Sequence, residues 1–434
     1  MKASILVLGL TLAACAAPRA QYVVLISVDG LPADALSNPQ VHLPTLRRLA
    51  AEGASAEGMR SVAPTVTWPN HTTLVTGVRP ENHGVIGNRY LDRSTGKVVP
   101  LIMDPVFDKE DLVRCPTIYD VAHAAGLSTA GVVWPASRNA KSLDWQIPDS
   151  GTKEIWDRYG TASWLEELRR SGIWVDQQET WVKEKEGIRR DWMYTKAACQ
   201  LIRVHHPNLL LLHLIELDHV QHDKGPRTPD AYVTASFEDE RIREVLEAVE
   251  AAGLRDRTAV FVVSDHGFFG FTKTIYPAVA LKKAGLEKVH VVTQGGAAFV
   301  YVRDPFERGP ARSALRGLEG VQELVEPSEY PKWGLPPPDR DPRMGDFILS
   351  AREGYAFSDK ASEVVLEEKP LQGTHGALPQ DPKLHATLIA WGAGIRPGVR
   401  LPVIDNVDVA PTLARLLGLR MEHVEGTARE EILR

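Results

Sequence analysis

Three stretches of the chain are apolar at nearly every position and stop abruptly at a carboxylate. They are YVVLISV before Asp29, LLLLHLIEL before Asp218, and AVFVVS before Asp265. Short unbroken runs of Val, Ile and Leu predict strands buried on both faces, hence a parallel sheet flanked by helices. Between them the apolar period lengthens to that of helices. LPTLRRLAAEG is a helix closed by Gly53, HTTLVTG is another, and TIYDVAHAAG precedes a strand in LSTAGVVW. WMYTKAACQLIRVHH feeds the strand NLLLLHLIE, and SFEDERIREVLEAVEAAG leads into TAVFVVSDHG. A buried strand in LHATLIAWGAGI and a helix in VDVAPTLARLLG, ending at Gly418, complete the pattern.

Two stretches break this alternation. Residues 150–190 are Trp-rich, charged and irregular, and 145–190 reads either as a lid over a site or as a plain surface excursion. Residues 271–370 precede a GTHG motif and carry two alternating runs in VHVVTQGGAAFVYV, typical of a small separate sheet, then the Pro-rich loop EYPKWGLPPPDRDP. The expected organisation is an export signal at 1–20, a catalytic core over 21–270 and 371–434, and an inserted cap subdomain at 271–370.

In open α/β sheets the functional site lies outside the carboxyl ends of the strands. That rule draws together Asp29, Asp218, His222, Asp265 and His266, with Thr67 in APTVTWPNH and His375 in QGTHGALP. Six N/O ligands suffice for two divalent metals with open positions. An unassisted Thr hydroxyl is almost never ionised at neutral pH and needs a metal or a base to act as a nucleophile. Pro69 suits the first turn of a helix, which places Thr67 at a helix N-terminus that favours a phosphoryl group.

Composition changes this picture little. The chain has 434 residues, 44% of them hydrophobic and 24% charged, ample for a packed core. A net charge of −6 without a basic tract argues against binding nucleic-acid polymers. A small phosphate ester remains compatible, because bound metals supply the local positive charge.

Residues 1–20 read as an export signal: Lys2, an apolar stretch from Ile5 to Ala14, then small residues. The stretch is too short to span a bilayer. Leu12-Ala13-Ala14-Cys15 resembles a bacterial lipobox, which would make Cys15 the lipidated mature N-terminus; the alternative is an ordinary cleavable signal. A periplasmic or outer-membrane-anchored protein follows, touching a membrane only through that lipid. Of the other cysteines, Cys115 and Cys199 either pair in an oxidising compartment or are two buried small hydrophobes.

Taken in order, VDG, PTVTWPNHTTLVTG, RPENHGVIGN, D-x-x-x-H-x-x-G-P, SDHG and GTHG resemble the nucleotide pyrophosphatase/phosphodiesterase family of the alkaline phosphatase superfamily. The resemblance covers roughly 22–145, 190–270 and 371–418. It implies an alkaline-phosphatase-like three-layer α/β sandwich with a mostly parallel central sheet and a smaller inserted α+β subdomain. It implies two Zn2+ ions, one held by Asp218, His222 and His375, the other by Asp29, Asp265, His266 and the Thr67 hydroxyl. Asn88 falls where that family contacts a phosphoryl oxygen. The implied activity is hydrolysis of phosphodiester or nucleotide pyrophosphate bonds through a phospho-threonine on Thr67, with a small-molecule substrate and no evident protein partner. Trp68 stands where the family usually has Phe, and IELDHVQH departs from the eukaryotic EEPDxxGH pattern, which leaves nucleotide preference open.

Rival readings are a phosphomonoesterase, a phosphonate hydrolase or a phospholipid-headgroup hydrolase on the same scaffold, and a non-catalytic binding protein. A phosphoglycerate mutase of the cofactor-independent type would have a Ser nucleophile and stay in the cytosol. His71 and His83 read as local hydrogen-bonding residues, and His385 as structural. His219 points away from Asp218 if that segment is extended. Trp134, Trp145, Trp156 and Trp164 read as core or lid packing, or as a base-stacking surface.

Overall fold

All three carboxylate-terminated runs form neighbouring strands at the centre of one sheet. The computed structural model describes residues 19–434; most of the expected export signal at 1–20, including Cys15, lies outside the described residues. Arg19 and Ala20 belong to the fold, since both donate their N–H to the Leu416 carbonyl and Ala20 is buried. The eight strands run, edge to edge, Val399–Leu401, Ala54–Ala56, Leu388–Gly392, Thr258–Val263, Tyr22–Val28, Leu209–Leu214, Thr129–Val132 and Trp145–Ile147. Only Leu388–Gly392 is antiparallel to its neighbours. Tyr22–Val28 lies between two parallel partners, with Ser27 in register with His213 on one side and Val263 on the other.

Sheet side chains of the central strands are buried on both faces. One layer packs Val24, Ile26, Leu210, Leu212, Val260 and Val262 against helices including Gly187–Val204 and Pro229–Ala251. The other packs Val23, Leu25, Leu211 and Phe261 against Val409–Leu416. This is a helix–sheet–helix sandwich. Truncating a residue such as Leu212 to Ala would cost about 2–5 kcal/mol, from lost transfer energy and the cavity left behind. Among the described residues, no helix is long and apolar enough to cross a membrane.

Three segments differ from the sequence expectation. Residues 150–190 are largely helical, with helices Lys153–Tyr159, Ala162–Arg170 and Gln178–Lys183. Their charges lie outward while Trp156, Trp164 and Trp181 are buried, so the apolar stripe was hidden among charged residues. Glu216–Lys224 is helical rather than extended; Asp191 starts it by accepting from the N–H groups of Ile215 and Glu216. The long helix begins at Pro229, well before its apolar period becomes visible, because Thr228 caps it and Pro229 occupies its first turn.

Within 271–370, His290–Gln294, Ala297–Tyr301, Phe347–Ala351 and Val321–Val325 form a four-stranded antiparallel sheet. Phe269–Ile275 pairs with both Gly354–Phe357 and Leu366–Thr374, so the segment leaves and re-enters the core beside the site. Cys115 and Cys199 are both free thiols, and Cys199 is packed in the core.

Candidate active site

The carboxylates reach the site by different local devices. Asp29 follows its strand directly, and Gly30 turns the chain with φ +69°. A Cβ at Gly30 would lie 2.5 Å from the Phe268 ring, so glycine is needed for both conformation and space. The Gly30 N–H donates to Asp265 Oδ1 at 3.1 Å, which ties two strand ends together. Asp218 and His222 stand four residues apart on the helix Glu216–Lys224, and therefore on one face of it.

His375 arrives from far along the chain because the GTHG loop docks on the loop preceding Thr67. Its Nδ1 lies 2.8 Å from the Thr65 carbonyl. Thr65 Oγ1 donates to the Ala377 carbonyl and accepts from the Gly376 N–H. Gly376 has φ +100°, and a Cβ there would overlap the Gln294 carbonyl. Thr67 opens the helix Thr67–Thr76, whose N-cap residue Val66 makes no side-chain cap. Asn70 braces that turn, accepting from the Val62 N–H and donating to the Val66 carbonyl.

The ligand atoms converge. Asp218 Oδ1 lies 3.5 Å from Nε2 of both His222 and His375, and those two nitrogens are 3.0 Å apart. His266 Nε2 is 3.0 Å from Asp265 Oδ2 and 3.5 Å from Asp29 Oδ1. The His266 and His375 rings stack with centroids 3.6 Å apart, so the two clusters adjoin. Donor atoms of Asp218, His266 and His375 all lie within 4.8 Å of one another, as do those of Asp29, Asp265 and His266. His266 is thus within reach of both groups.

Asp29 Oδ1, Asp218 Oδ1, Asp265 Oδ2 and His266 Nε2 are buried without a hydrogen-bond partner. Unpaired polar atoms in a protein interior are costly, and such atoms in both clusters fit bound cations. Electrostatics agree. Burial, reinforced by the charges of Asp265 and Asp218, raises the Asp29 carboxyl well above its usual range. Burial drives His375 down to about 3, leaving a neutral imidazole with a free lone pair. For His266 burial is outweighed by the Asp265 and Asp29 carboxylates, which push it up to about 9. Three buried carboxylates and three imidazoles suit a transition metal such as zinc.

Asn88 stands beside the Thr67 turn. Its Oδ1 accepts the Trp68 N–H at 3.0 Å, which leaves the Nδ2 hydrogens as the side chain's donors. Its own N–H is held by Gln294 Oε1 at 3.1 Å, so the 271–370 segment supports the site from behind. A cavity of about 730 Å3 opens from Asp29, Thr67, Asp218 and His222. No residue of 271–370 lines it; Val182, Lys185, Ile188 and Arg190 do.

One buried participant escaped the sequence reading. His213 Nε2 lies 3.0 Å from Asp29 Oδ2, while Nδ1 faces the Val133 carbonyl at 3.2 Å and Asp149 Oδ2 at 3.6 Å. A lone imidazole in a Leu run, one residue from the strand's end, was its only signal. His71 Nδ1 bonds the Thr67 carbonyl, and its ring packs between Trp134 and His213. His83 accepts from the Val85 N–H and contacts Thr73 Oγ1. His219 lines the cavity, 3.5 Å from Glu216, because its segment is helical. Trp134, Trp156 and Trp164 are buried and Trp145 packs on His205, so none of the four offers a stacking surface in the cavity.

Comparison with known proteins places this geometry. Residues 23–378 match the family described as type I phosphodiesterase / nucleotide pyrophosphatase. The chain is 23% identical to human ectonucleotide pyrophosphatase/phosphodiesterase family member 1 over 421 residues, covering 93% of this chain but 40% of that protein. It is 22% identical to human bis(5'-adenosyl)-triphosphatase over 407 residues, covering 93% and 80% respectively. Murine ectonucleotide pyrophosphatase / phosphodiesterase 5 superposes with a TM-score of 0.75 at 21% identity, over 95% of this chain and 100% of that one. An inactive form of the same mouse protein, in complex with AMP, superposes equally well and shares the fold. With a family match across most of its length, the chain belongs to the type I phosphodiesterase / nucleotide pyrophosphatase family, whose members are enzymes that hydrolyse phosphodiester and pyrophosphate bonds.

Proposed function

We propose that this enzyme is an exported zinc phosphodiesterase in which Thr67 is the nucleophile. The observation that carries the reading is the set of orphaned donor atoms on Asp29, Asp218, Asp265 and His266, with Asp29 and Asp218 lining the same cavity as Thr67. Asp218, His222 and His375 would hold one Zn2+, and Asp29, Asp265, His266 and the Thr67 hydroxyl the other. When bound, the ions would supply Lewis acidity that lowers the pKa of the nucleophile and neutralises phosphoryl charge.

Thr67 Oγ1 attacks phosphorus and expels one alcohol, forming a phospho-threonine. Water then cleaves the new P–O bond, releasing a monoester and regenerating the hydroxyl. The first-turn N–H groups of the helix other than that of Trp68, together with Asn88 Nδ2, would donate to the phosphoryl oxygens. Nucleotide pyrophosphates are compatible substrates, as the names of the human relatives suggest. Export, and anchoring through Cys15, belong to the same proposal.

Turnover of bis-p-nitrophenyl phosphate tests it. Thr67→Ala should lose several orders of magnitude in kcat while keeping its metal content and unfolding transition, and Thr67→Ser should retain substantial activity. Acid-quenched wild type given radiolabelled substrate should carry label on Thr67. A Thr67→Ala enzyme turning over near the wild-type rate would overturn the covalent route.

A further inference from the structure

Three buried carboxylates meet where three helices come together behind the metal ligands. Asp191 stands on Gly187–Val204, Glu216 opens the helix that carries Asp218 and His222, and Glu238 stands on Pro229–Ala251. Asp191 is 0% exposed, Glu238 1% and Glu216 8%. One oxygen of Asp191 serves the helix start: Oδ2 accepts the Ile215 N–H at 2.9 Å and the Glu216 N–H at 2.7 Å. Its Oδ1 and both oxygens of Glu238 are buried and accept from no N–H or hydroxyl group among the described residues. The two side chains are nonetheless within hydrogen-bonding reach of each other. Two arginines whose charges act on the pair are engaged elsewhere. Arg190 donates its Nε–H to the Tyr194 hydroxyl, and Arg241 pairs with Glu244 at 2.9 Å.

Two adjacent carboxylates cannot both stay ionised in such a place, and one proton between them gives each a partner. Burial lifts both carboxyls. The N–H groups at the helix start hold Asp191 back, to about 6, whereas the charge of Asp191 pushes Glu238 further up. At neutral pH the proton belongs to Glu238 and the negative charge to Asp191. We infer that Glu238 is a positioning residue for the hydrolytic reaction: its carboxyl O–H donates to Asp191 Oδ1, and Asp191 so held fixes the first turn of the helix on which Asp218 and His222 stand. The inference rests on the reading of those two residues as ligands of one zinc ion. Without the donor, Asp191 keeps an unpaired oxygen in the interior, a cost relieved only by turning away and releasing the Ile215 and Glu216 N–H groups. The helix start has a second tie to the same neighbour. A Cβ at Gly187 would overlap Glu216 Oε2, so glycine is what lets the two helix starts meet.

Glu238→Gln keeps a donor toward Asp191, and Glu238→Met removes it at similar volume. Zinc titrations of the full chain against a chromophoric chelator read the consequence. Glu238→Met should release one of its two zinc ions roughly tenfold or more faster in affinity terms than wild type and hold the other nearly as tightly, whereas Glu238→Gln should stay close to wild type for both. Infrared spectra of the zinc-loaded enzyme at about pH 8 give a signature that packing alone would not produce: wild type should show a protonated-carboxyl band that Glu238→Gln lacks. Equal zinc affinity in all three proteins, or equal loosening in Glu238→Gln and Glu238→Met, overturns the inference and leaves the zinc reading standing. So does an infrared difference without that band, which decides the matter by itself if Glu238→Met does not fold. A wild type that binds no zinc overturns both.

Discussion

His222 and His375 meet Nε2 to Nε2 at 3.0 Å, and each has its Nδ1 facing a main-chain carbonyl, Gly373 for one and Thr65 for the other. A carbonyl accepts only, so each Nδ1 carries the proton and each Nε2 presents a lone pair. Two lone pairs at that distance repel unless a cation lies beside them, and Asp218 Oδ1 completes the donor set 3.5 Å from both. Chelation should therefore abolish activity, and zinc should restore it better than magnesium, because imidazole suits zinc. Full turnover after exhaustive EDTA dialysis, with metal analysis confirming removal, would contradict the assignment.

A second prediction concerns Asp29. His213 holds its Oδ2, leaving Oδ1 unpartnered beside His266. Such outer contacts typically change metal affinity 10–100-fold. His213→Phe should weaken zinc binding within about that range, measured by competition with a chromophoric chelator, while His213→Gln, which can still donate to Asp29, should recover part of the loss. Unchanged zinc affinity in His213→Phe would reduce the residue to a packing role.

The contrast between Asp218 and His213 shows what the sequence could and could not disclose. Asp218 ends an apolar run and sits four residues from a histidine, so type, position and spacing all pointed to the site. His213 lies inside the same run, where an imidazole reads as one more core residue until the sheet register puts it beside Ser27 and hence near Asp29. The parallel core was legible because unbroken Val/Ile/Leu runs have few other solutions. The 150–190 helices were not, because their Trp residues face inward at spacings obscured by the charges between them. The cavity wall was invisible for another reason. Ile102, Ile188 and Val233 come together only through tertiary packing, and each alone is an unremarkable surface aliphatic.

Stability should depend on pH through Asp104. Burial raises this carboxyl to about 7 despite the Trp68 Nε1–H and Ser137 N–H it accepts. Between about pH 4 and 7 the native state keeps a proton that the unfolded chain has already lost. Stability contributed by this group therefore falls as pH rises through that window and levels off above it, by roughly 4 kcal/mol for three units of displacement. Asp104→Asn should flatten that part of the profile. Urea midpoints of both proteins from pH 5 to 8 give the comparison, and parallel profiles would mean that Asp104 is ionised in the fold throughout.

The last prediction separates diesters from monoesters. Asn88 and the helix N-terminus offer neutral donors to the phosphoryl oxygens, which suits the single negative charge of a diester. Lys185, Arg190 and Lys224 also line the cavity, and these cations would favour a dianion if they reached the phosphoryl group. Arg190 is directed elsewhere, with Nε bonded to the Tyr194 hydroxyl. The apolar wall, in turn, can contact only a substituent that a monoester lacks once its leaving group is accounted for. The balance favours the diester, so kcat/KM for an aryl diester should exceed that of the matching monoester at least tenfold, about 1.4 kcal/mol of differential transition-state binding. If p-nitrophenyl phosphate turned over faster than its diester, the lysines would be contacting the phosphoryl group. Lys185→Ala and Lys224→Ala would then lower monoester turnover selectively, and the enzyme would act as a phosphatase on the same pair of ligand clusters.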